Sequence, residues 1–156
     1  MASTDADTLE ARLEKRTKKN LLRVARRVKS MVASVTEDLI NSTPVDTGEA
    51  RSNWRVTVGE VVNVRHPPFY PLPHRTDPDK FYEPRNAAMA VELSNATVAA
   101  ISEETILDGV PIYIQNHAPQ TAWINKGTVL SAQQDPTFVE DAVKAGRIRF
   151  HEGKGK

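Results

Sequence analysis

The residues of this chain that could carry out a reaction are centred on Asp46-Thr47-Gly48. A protease built from two paired subunits brings one such aspartate from each subunit together, so that two carboxylates share a proton. Here Pro44 precedes the triplet, Glu49 follows it, and the sequence offers no Gly-rich apolar hairpin that could cover a substrate. These flanking residues favour a structural turn over a catalytic dyad.

A turn accounts for the same residue types through local backbone chemistry. Asp and Thr side chains bond nearby N–H groups, and glycine tolerates left-handed dihedral angles. We therefore expect Asp46 to cap a short helical turn over residues 49–51. The residues assigned to this structural turn and to the strand that follows it are Pro44, Asp46, Thr47, Gly48 and Trp54.

Other reactive groups lack the spacing that catalysis or metal binding requires. The four histidines, at positions 66, 74, 117 and 151, are far apart, and cysteine is absent. No Gly-x-Ser-x-Gly elbow and no Gly-rich phosphate loop occurs. We expect a protein that is not an enzyme and that uses no metal and no cofactor.

Composition indicates a single domain, 1–156, of an ordinary globular type. The sequence holds no apolar run of the length that a membrane span needs, so we expect no membrane partner. Its first residues are polar and acidic, unlike a secretory signal. We therefore expect no secretory signal.

Charge is distributed unevenly although the net charge is only +1. Residues 12–29 contain nine basic residues and one acidic residue, a charge of +8, which leaves −7 on the rest of the chain. Such asymmetry indicates a charged partner: nucleic acid, an acidic protein surface or the acidic half of a neighbouring copy. We expect this charge to spread around the helix, with Arg16 and Arg27 away from the side that Lys19, Arg23 and Arg26 share. The candidate contacts are Arg16, Lys19, Arg23, Arg26 and Arg27.

A long helix is predicted over 5–41, because apolar residues recur every three or four positions and Pro44 is the first helix breaker. At 1.5 Å per residue it would be ~55 Å long. A domain of this size is roughly 40 Å across. The helix must therefore bend, break or pack on another molecule.

The rest of the chain predicts shorter elements. A strand region is expected over 54–64, followed by a proline-rich segment, 65–84, with six of the ten prolines. Such a segment suits an interface arm, whose aromatic anchors would be Phe69, Tyr70, Phe81 and Tyr82. A helix–strand–helix region is expected over 85–146 and a basic tail over 147–156. The tail alternates Ile148 and Phe150, which suggests an edge strand.

Together these elements predict an α+β fold: a long N-terminal helix, a small and mostly antiparallel sheet, two further helices and a long proline-rich loop. Within 85–146, residues 106–110 are expected to form a strand and turn, and 111–116 another strand. Trp54 and Trp123 are both expected to be buried packing residues.

The order of motifs resembles a family of bacteriophage minor tail proteins, the lambda Z-type tail-completion or neck proteins. The first matching block is Thr43-Pro44-Val45-Asp46-Thr47-Gly48, after a long helix and before Trp54. The second keeps the frame Asn116-His117-Ala118-Pro119 and Gly127-Thr128. It differs from the family pattern at Gln120, where the family has tyrosine, and at Asn125-Lys126, where it has an acidic residue.

The resemblance implies a structural virion protein, made in the host cytoplasm, that forms a ring at the head–tail junction of a tailed phage. Its partners would be further copies of itself, in a six-fold or twelve-fold ring, together with a head connector or head-closure protein and a tail terminator or tail tube protein. DNA in the lumen is a further candidate partner. Two alternatives stay open: a nucleic-acid-binding protein that uses the basic helix 12–29, and a dimeric Asp-Thr-Gly protease.

Overall fold

The computed structural model describes residues 3–44, 48–71, 84–126 and 137–152, with side chains described from residue 8 onward. These residues form an α+β fold with six helices and one two-stranded antiparallel sheet. The fold class predicted from the sequence is confirmed, although the sheet is smaller and the helices are more numerous than expected.

The first helix, α1, spans Ser3–Ser42 and matches the predicted long helix. Forty residues correspond to ~60 Å of continuous helix. Burial begins only at Ala25, which is fully buried, whereas residues 8–21 are all exposed. The C-terminal half of α1 therefore lies in the core, and the N-terminal half projects beyond it.

The chain then turns into α2, Glu49–Ser52, and β1, Trp54–Val58. Strand β1 pairs with β2, Ile112–Asn116, with Trp54 opposite Asn116 and Val58 opposite Ile112. The predicted strand region 54–64 is too long, because Gly59 adopts a φ of +83° and Pro111 precedes β2. Residues beyond Gly59 therefore leave the sheet.

Two clusters of apolar side chains join the sheet to α1 and to helix α3, Pro84–Ala100. The first surrounds Trp54 and includes Leu39, Ile40, Ala90 and Phe138. The second surrounds Val56 and includes Val32, Val98 and Ile101. The side chains of β1 alternate at its start, with Trp54 and Val56 buried and Arg55 and Thr57 only partly buried.

Three further helices complete the described fold: α4, Glu103–Leu107; α5, Pro119–Asn125; and α6, Phe138–Glu152. The strand expected around Ile106 is wrong. Ser102 instead caps α4, because its side chain accepts a hydrogen bond from the Thr105 N–H.

The edge strand expected at Ile148 and Phe150 is also wrong, because α6 continues through both residues. Gly146 does not end this helix. It is buried where α6 crosses α1, and a β-carbon at this position would lie 2.0 Å from Val35 Cγ2. This glycine permits close helix packing, which is a different use of the residue from helix termination.

Candidate functional site

The segment from Thr43 to Trp54 is a junction of buried hydrogen bonds. Trp54 Nε1 donates to Thr43 Oγ1 at 2.6 Å, and Thr43 Oγ1 donates to the Leu39 carbonyl at 2.6 Å. Arg51 Nε donates to the Thr43 carbonyl at 2.8 Å. These bonds fasten the end of α1 to α2 and to the start of β1, and they satisfy carbonyl groups that a helix end leaves unpaired.

A second part of this junction fastens the residues after β1 to α3. Asn86 is fully buried; its Oδ1 accepts from Ser52 Oγ and from the Tyr70 N–H, both at 2.8 Å, and its Nδ2 donates to the Tyr70 carbonyl. The Asn53 side chain likewise forms two hydrogen bonds with the main chain of His66: its Nδ2 donates to the carbonyl, and its Oδ1 accepts from the N–H. Neither asparagine was predicted from the sequence, although a polar residue at a position facing the core is a usable signal.

Gly48 belongs to the same junction and has a φ of +87°. A β-carbon there would lie 2.3 Å from Asn86 Nδ2. The predicted left-handed glycine is confirmed, and Pro44 and Trp54 are both buried. Asp46 and Thr47 lie outside the described residues, so the predicted Asp46 cap stays a prediction.

Glu49, at the start of α2, forms an ion pair with Arg65 and accepts a hydrogen bond from Gln120 at 3.2 Å. The Arg65 hydrogen bond lowers the pKa of the Glu49 carboxyl below its ordinary value of 4.5. The junction therefore contains one ionisable contact that links α2 to the segment after β1 and to α5.

The projecting half of α1 has apolar side chains that the rest of the described fold leaves uncovered. Leu9 is 58% exposed and Leu13 is 56% exposed, and Leu21 and Val24 are nearly as exposed. Leu13, Leu21 and Leu22 border a shallow groove with Leu107 of α4. We call the residues Leu9, Leu13, Leu21 and Val24 the apolar stripe.

Basic residues occupy the opposite half of the same helix. With about 100° of rotation per residue, all nine basic residues of 12–29 fall on roughly one half of the circumference. Leu13, Leu21 and Val24 fall on the other half, and Leu9 lies at the border, in line with Arg27. Arg16 and Arg27 thus share a side with Lys19 and Arg23, and the expectation that the charge is spread around the helix is wrong. We call these nine residues the basic half.

Two members of the basic half are used inside the fold. Arg26 Nε lies 3.3 Å from Glu103 Oε1, and Lys29 Nζ donates to the Ala99 and Ile101 carbonyls at 3.1 and 2.6 Å. Lys29 thereby satisfies the C-terminal end of α3. Of the predicted contact residues, Arg16, Lys19 and Arg23 are exposed, and Arg27 is half-buried.

The described part of the predicted interface arm, residues 65–71, packs against α2 and α3 of the same chain. The main chains of His66, Phe69 and Tyr70 are bonded to Asn53, Ser52 and Asn86. The Phe69 and Tyr70 rings are each about one-third exposed, and the Arg85 guanidinium lies 4.8 Å from the centre of the Tyr70 ring. Phe81 and Tyr82 lie outside the described residues.

Trp123 differs from its prediction. It is 51% exposed, whereas Trp54 is 6% exposed. Val143 and Ile148, on α6, are also exposed and border a second apolar groove. Single exposed apolar side chains also lie on α3, α4 and α5, whereas α1 and α6 each carry more than one.

Within the described ranges, no group of three or more histidine, cysteine or carboxylate side chains is placed to hold a metal ion. In those same ranges, no helix is long and apolar enough to cross a bilayer. Comparison with family models, with characterised proteins and with solved structures found no significant match to this chain.

Proposed function

We propose that this protein is a structural virion protein of a tailed bacteriophage, a ring subunit at the head–tail junction that joins the head connector to the tail. The resemblance of the Thr43–Gly48 block to tail-completion proteins gives the biological setting. The physical support is independent of that resemblance and comes from the projecting half of α1.

The observation that carries the proposal is the apolar stripe. Each uncovered leucine leaves apolar area in water at a cost of roughly 25 cal/mol per Å². A helix that extends beyond its own core and is apolar along one half is typical of a helix that packs on another protein. We propose that a neighbouring copy covers the stripe.

A ring also needs two different surfaces on each subunit, since head-to-tail contacts pair unlike patches. The apolar stripe of α1 and the exposed Val143 and Ile148 of α6 supply two separate apolar patches. They lie on different helices, which suits a closed ring better than a symmetric dimer.

The basic half of α1 favours a second role within the same assembly. Exposed arginines and lysines along one helix side suit duplex DNA, whose phosphates attract cations irrespective of sequence. In a ring through which DNA passes, the basic half would line the channel while the apolar stripe packs on the neighbour. A nucleic-acid-binding protein that acts alone is the alternative.

The test is assembly by purified protein, with substitutions confined to the stripe. We expect closed rings of uniform size in negative-stain images of the wild type. Replacing Leu9, Leu13 and Leu21 with glutamine should yield monomers that keep the wild-type circular dichroism. A matched control replaces the exposed Val61 and Val64 with glutamine and should still form rings. Rings from the stripe variant, or a wild type that stays monomeric at all concentrations, would contradict the proposal.

A further inference from the structure

Within the described ranges, the two-stranded sheet leaves one edge of β1 without a partner strand. Gly59 N–H donates to the Pro111 carbonyl at 2.8 Å, and the register places Thr57 opposite Tyr113 and Arg55 opposite Gln115. Antiparallel pairs alternate between bonded and non-bonded positions. Arg55, Thr57 and Gly59 therefore bond β2, whereas Trp54 and Val56 direct their N–H and C=O groups to the opposite edge.

That edge borders a cleft of about 250 Å³. Trp54, Arg55 and Val56 form one side, and Leu93, Ser94 and Thr97 of α3 form the other. Leu93 is 50% exposed and Phe69, at the rim, is 37% exposed, so the cleft opens to solvent. Among the described residues, none bonds the outward main-chain groups of Trp54 or Val56.

Two buried polar atoms at this cleft also lack partners. Ser94 is only 4% exposed, and its Oγ makes no hydrogen bond with any described residue. Arg55 Nε is buried without an acceptor, and Arg55 has no ion pair in the described part of the chain. Burial lowers the pKa of the Arg55 guanidinium, because no anion offsets its desolvation. Unpaired buried donors of this kind are costly unless a ligand satisfies them.

We infer that this cleft binds an extended segment of a partner protein, which adds a strand to the free edge of β1 and places a carboxylate at Arg55. Main-chain bonds to Trp54 and Val56 would give the segment its direction, as in other cases of strand addition. The Arg55 guanidinium and the Ser94 hydroxyl would select an acidic side chain.

The size and chemistry of the cleft favour this ligand over a small molecule. Pockets that hold drug-sized ligands are about 300–1,000 Å³, and this cleft is smaller and lies along a strand edge. A short stretch of extended chain fits such a shape, and its own N–H and C=O groups match those that β1 leaves free. This inference does not depend on ring formation, since the cleft and the apolar stripe share no residue.

The test uses two heptapeptides that alternate threonine and valine, with aspartate at the centre of one and asparagine at the centre of the other. Trp54 reports binding in full-length Trp123→Phe protein, where it is the one remaining tryptophan. We expect saturable binding of the aspartate peptide, slower hydrogen exchange at the Val56 N–H, and about tenfold weaker binding of the asparagine peptide, the loss expected for a charge-assisted hydrogen bond.

Three variants assign the preference to the cleft. Arg55→Gln should bind both peptides equally, and Arg55→Lys, which keeps the charge, should retain part of the preference if Arg55→Gln does not fold. Arg12→Gln removes the same charge from the projecting helix and should behave as wild type. Equal binding of both peptides by the wild type, or the absence of saturable binding, would overturn the inference. So would exchange protection of Val56 that rises with protein concentration alone, because a second copy would then fill the cleft.

Discussion

At the scale of single residues, Gly48 is the position where the backbone of the junction is least replaceable. Its φ of +87° and the nearby Asn86 amide leave no room for a side chain. We predict that Gly48→Ala lowers the free energy of unfolding by about 2–4 kcal/mol, from left-handed strain together with a broken buried hydrogen bond. Urea denaturation measures this change.

Gly109 provides a matched control for that substitution. Its φ is +75°, but a β-carbon there would meet no atom within 4 Å. Gly109→Ala should therefore cost only the left-handed strain, about 1 kcal/mol. If both substitutions lowered the free energy of unfolding equally, the contact with Asn86 would contribute nothing to the cost of Gly48→Ala.

Glu49 gives the junction a pH dependence of defined sign. The Arg65 hydrogen bond lowers its pKa in the folded state below 4.5. The stabilisation is therefore present above the unfolded-state pKa and is lost as the pH falls through the lower folded-state pKa. We predict that the stability of Glu49→Gln falls less steeply than that of the wild type between neutral pH and about pH 3, measured by urea denaturation. Parallel curves for the two proteins would contradict this prediction.

The fluorescence of the two tryptophans should differ in its sensitivity to a quencher. Trp123 is half exposed and Trp54 is buried. We predict that acrylamide quenches Trp123→Phe protein weakly and Trp54→Phe protein strongly, provided that each stays folded. Strong quenching in Trp123→Phe would show that solvent reaches Trp54.

At the scale of elements, the crossing of α1 and α6 depends on Gly146. A β-carbon there would meet Val35 Cγ2 at 2.0 Å, and nearby Arg149 forms an ion pair with Asp38 at 2.6 Å. We predict that Gly146→Ala costs about 1–3 kcal/mol through overpacking, although alanine is the better helix former. The exposed Lys144→Ala should change stability by no more than about 0.5 kcal/mol. A gain in thermal stability for Gly146→Ala would show that the helices separate easily.

Elements with strong local signals were predictable from the sequence, and those that depend on partners distant in the chain were not. Helix α1 followed from a long apolar period without Gly or Pro. The length of β1 could not be predicted from the sequence, because it is limited by the five residues of its partner strand β2. The boundary predicted between residues 146 and 147 was wrong, because a packing glycine such as Gly146 and a terminating glycine look alike until the neighbouring helix is known.

The basic surface of α1 was predictable in part, and the cleft at Arg55 and Ser94 was not predictable. Charge counting identified the basic segment, but the use of Arg26 and Lys29 inside the fold depends on Glu103 and on the end of α3, at least 70 residues away. The Arg55 and Ser94 cleft had no sequence signal, since it arises from the packing of α3 beside a free strand edge. Residue 55 alone looks like an ordinary outward-facing arginine on a strand.

At the scale of the whole molecule, the basic half of α1 should govern contact with polyanions. We predict that the protein binds duplex DNA with an affinity that falls as the salt concentration rises, and that changing both Lys19 and Arg23 to glutamate weakens this binding. Each lost phosphate contact should reduce the slope of log affinity against log salt concentration by about 0.9. Fluorescence anisotropy across a salt series measures it. The same reversal at the exposed Lys126 and Lys144 is the control. Identical slopes for the two double variants would exclude the basic half as the DNA contact.

The central claim is that the projecting half of α1 packs on further copies of the chain. Native mass spectrometry of the purified full-length protein tests it most directly, with the Leu9, Leu13 and Leu21 to glutamine variant measured beside the wild type. We expect one discrete multiple of the 17.3 kDa subunit for the wild type and the subunit mass alone for the variant. A wild-type protein found only at the subunit mass, or a variant with the same multiple as the wild type, would contradict it.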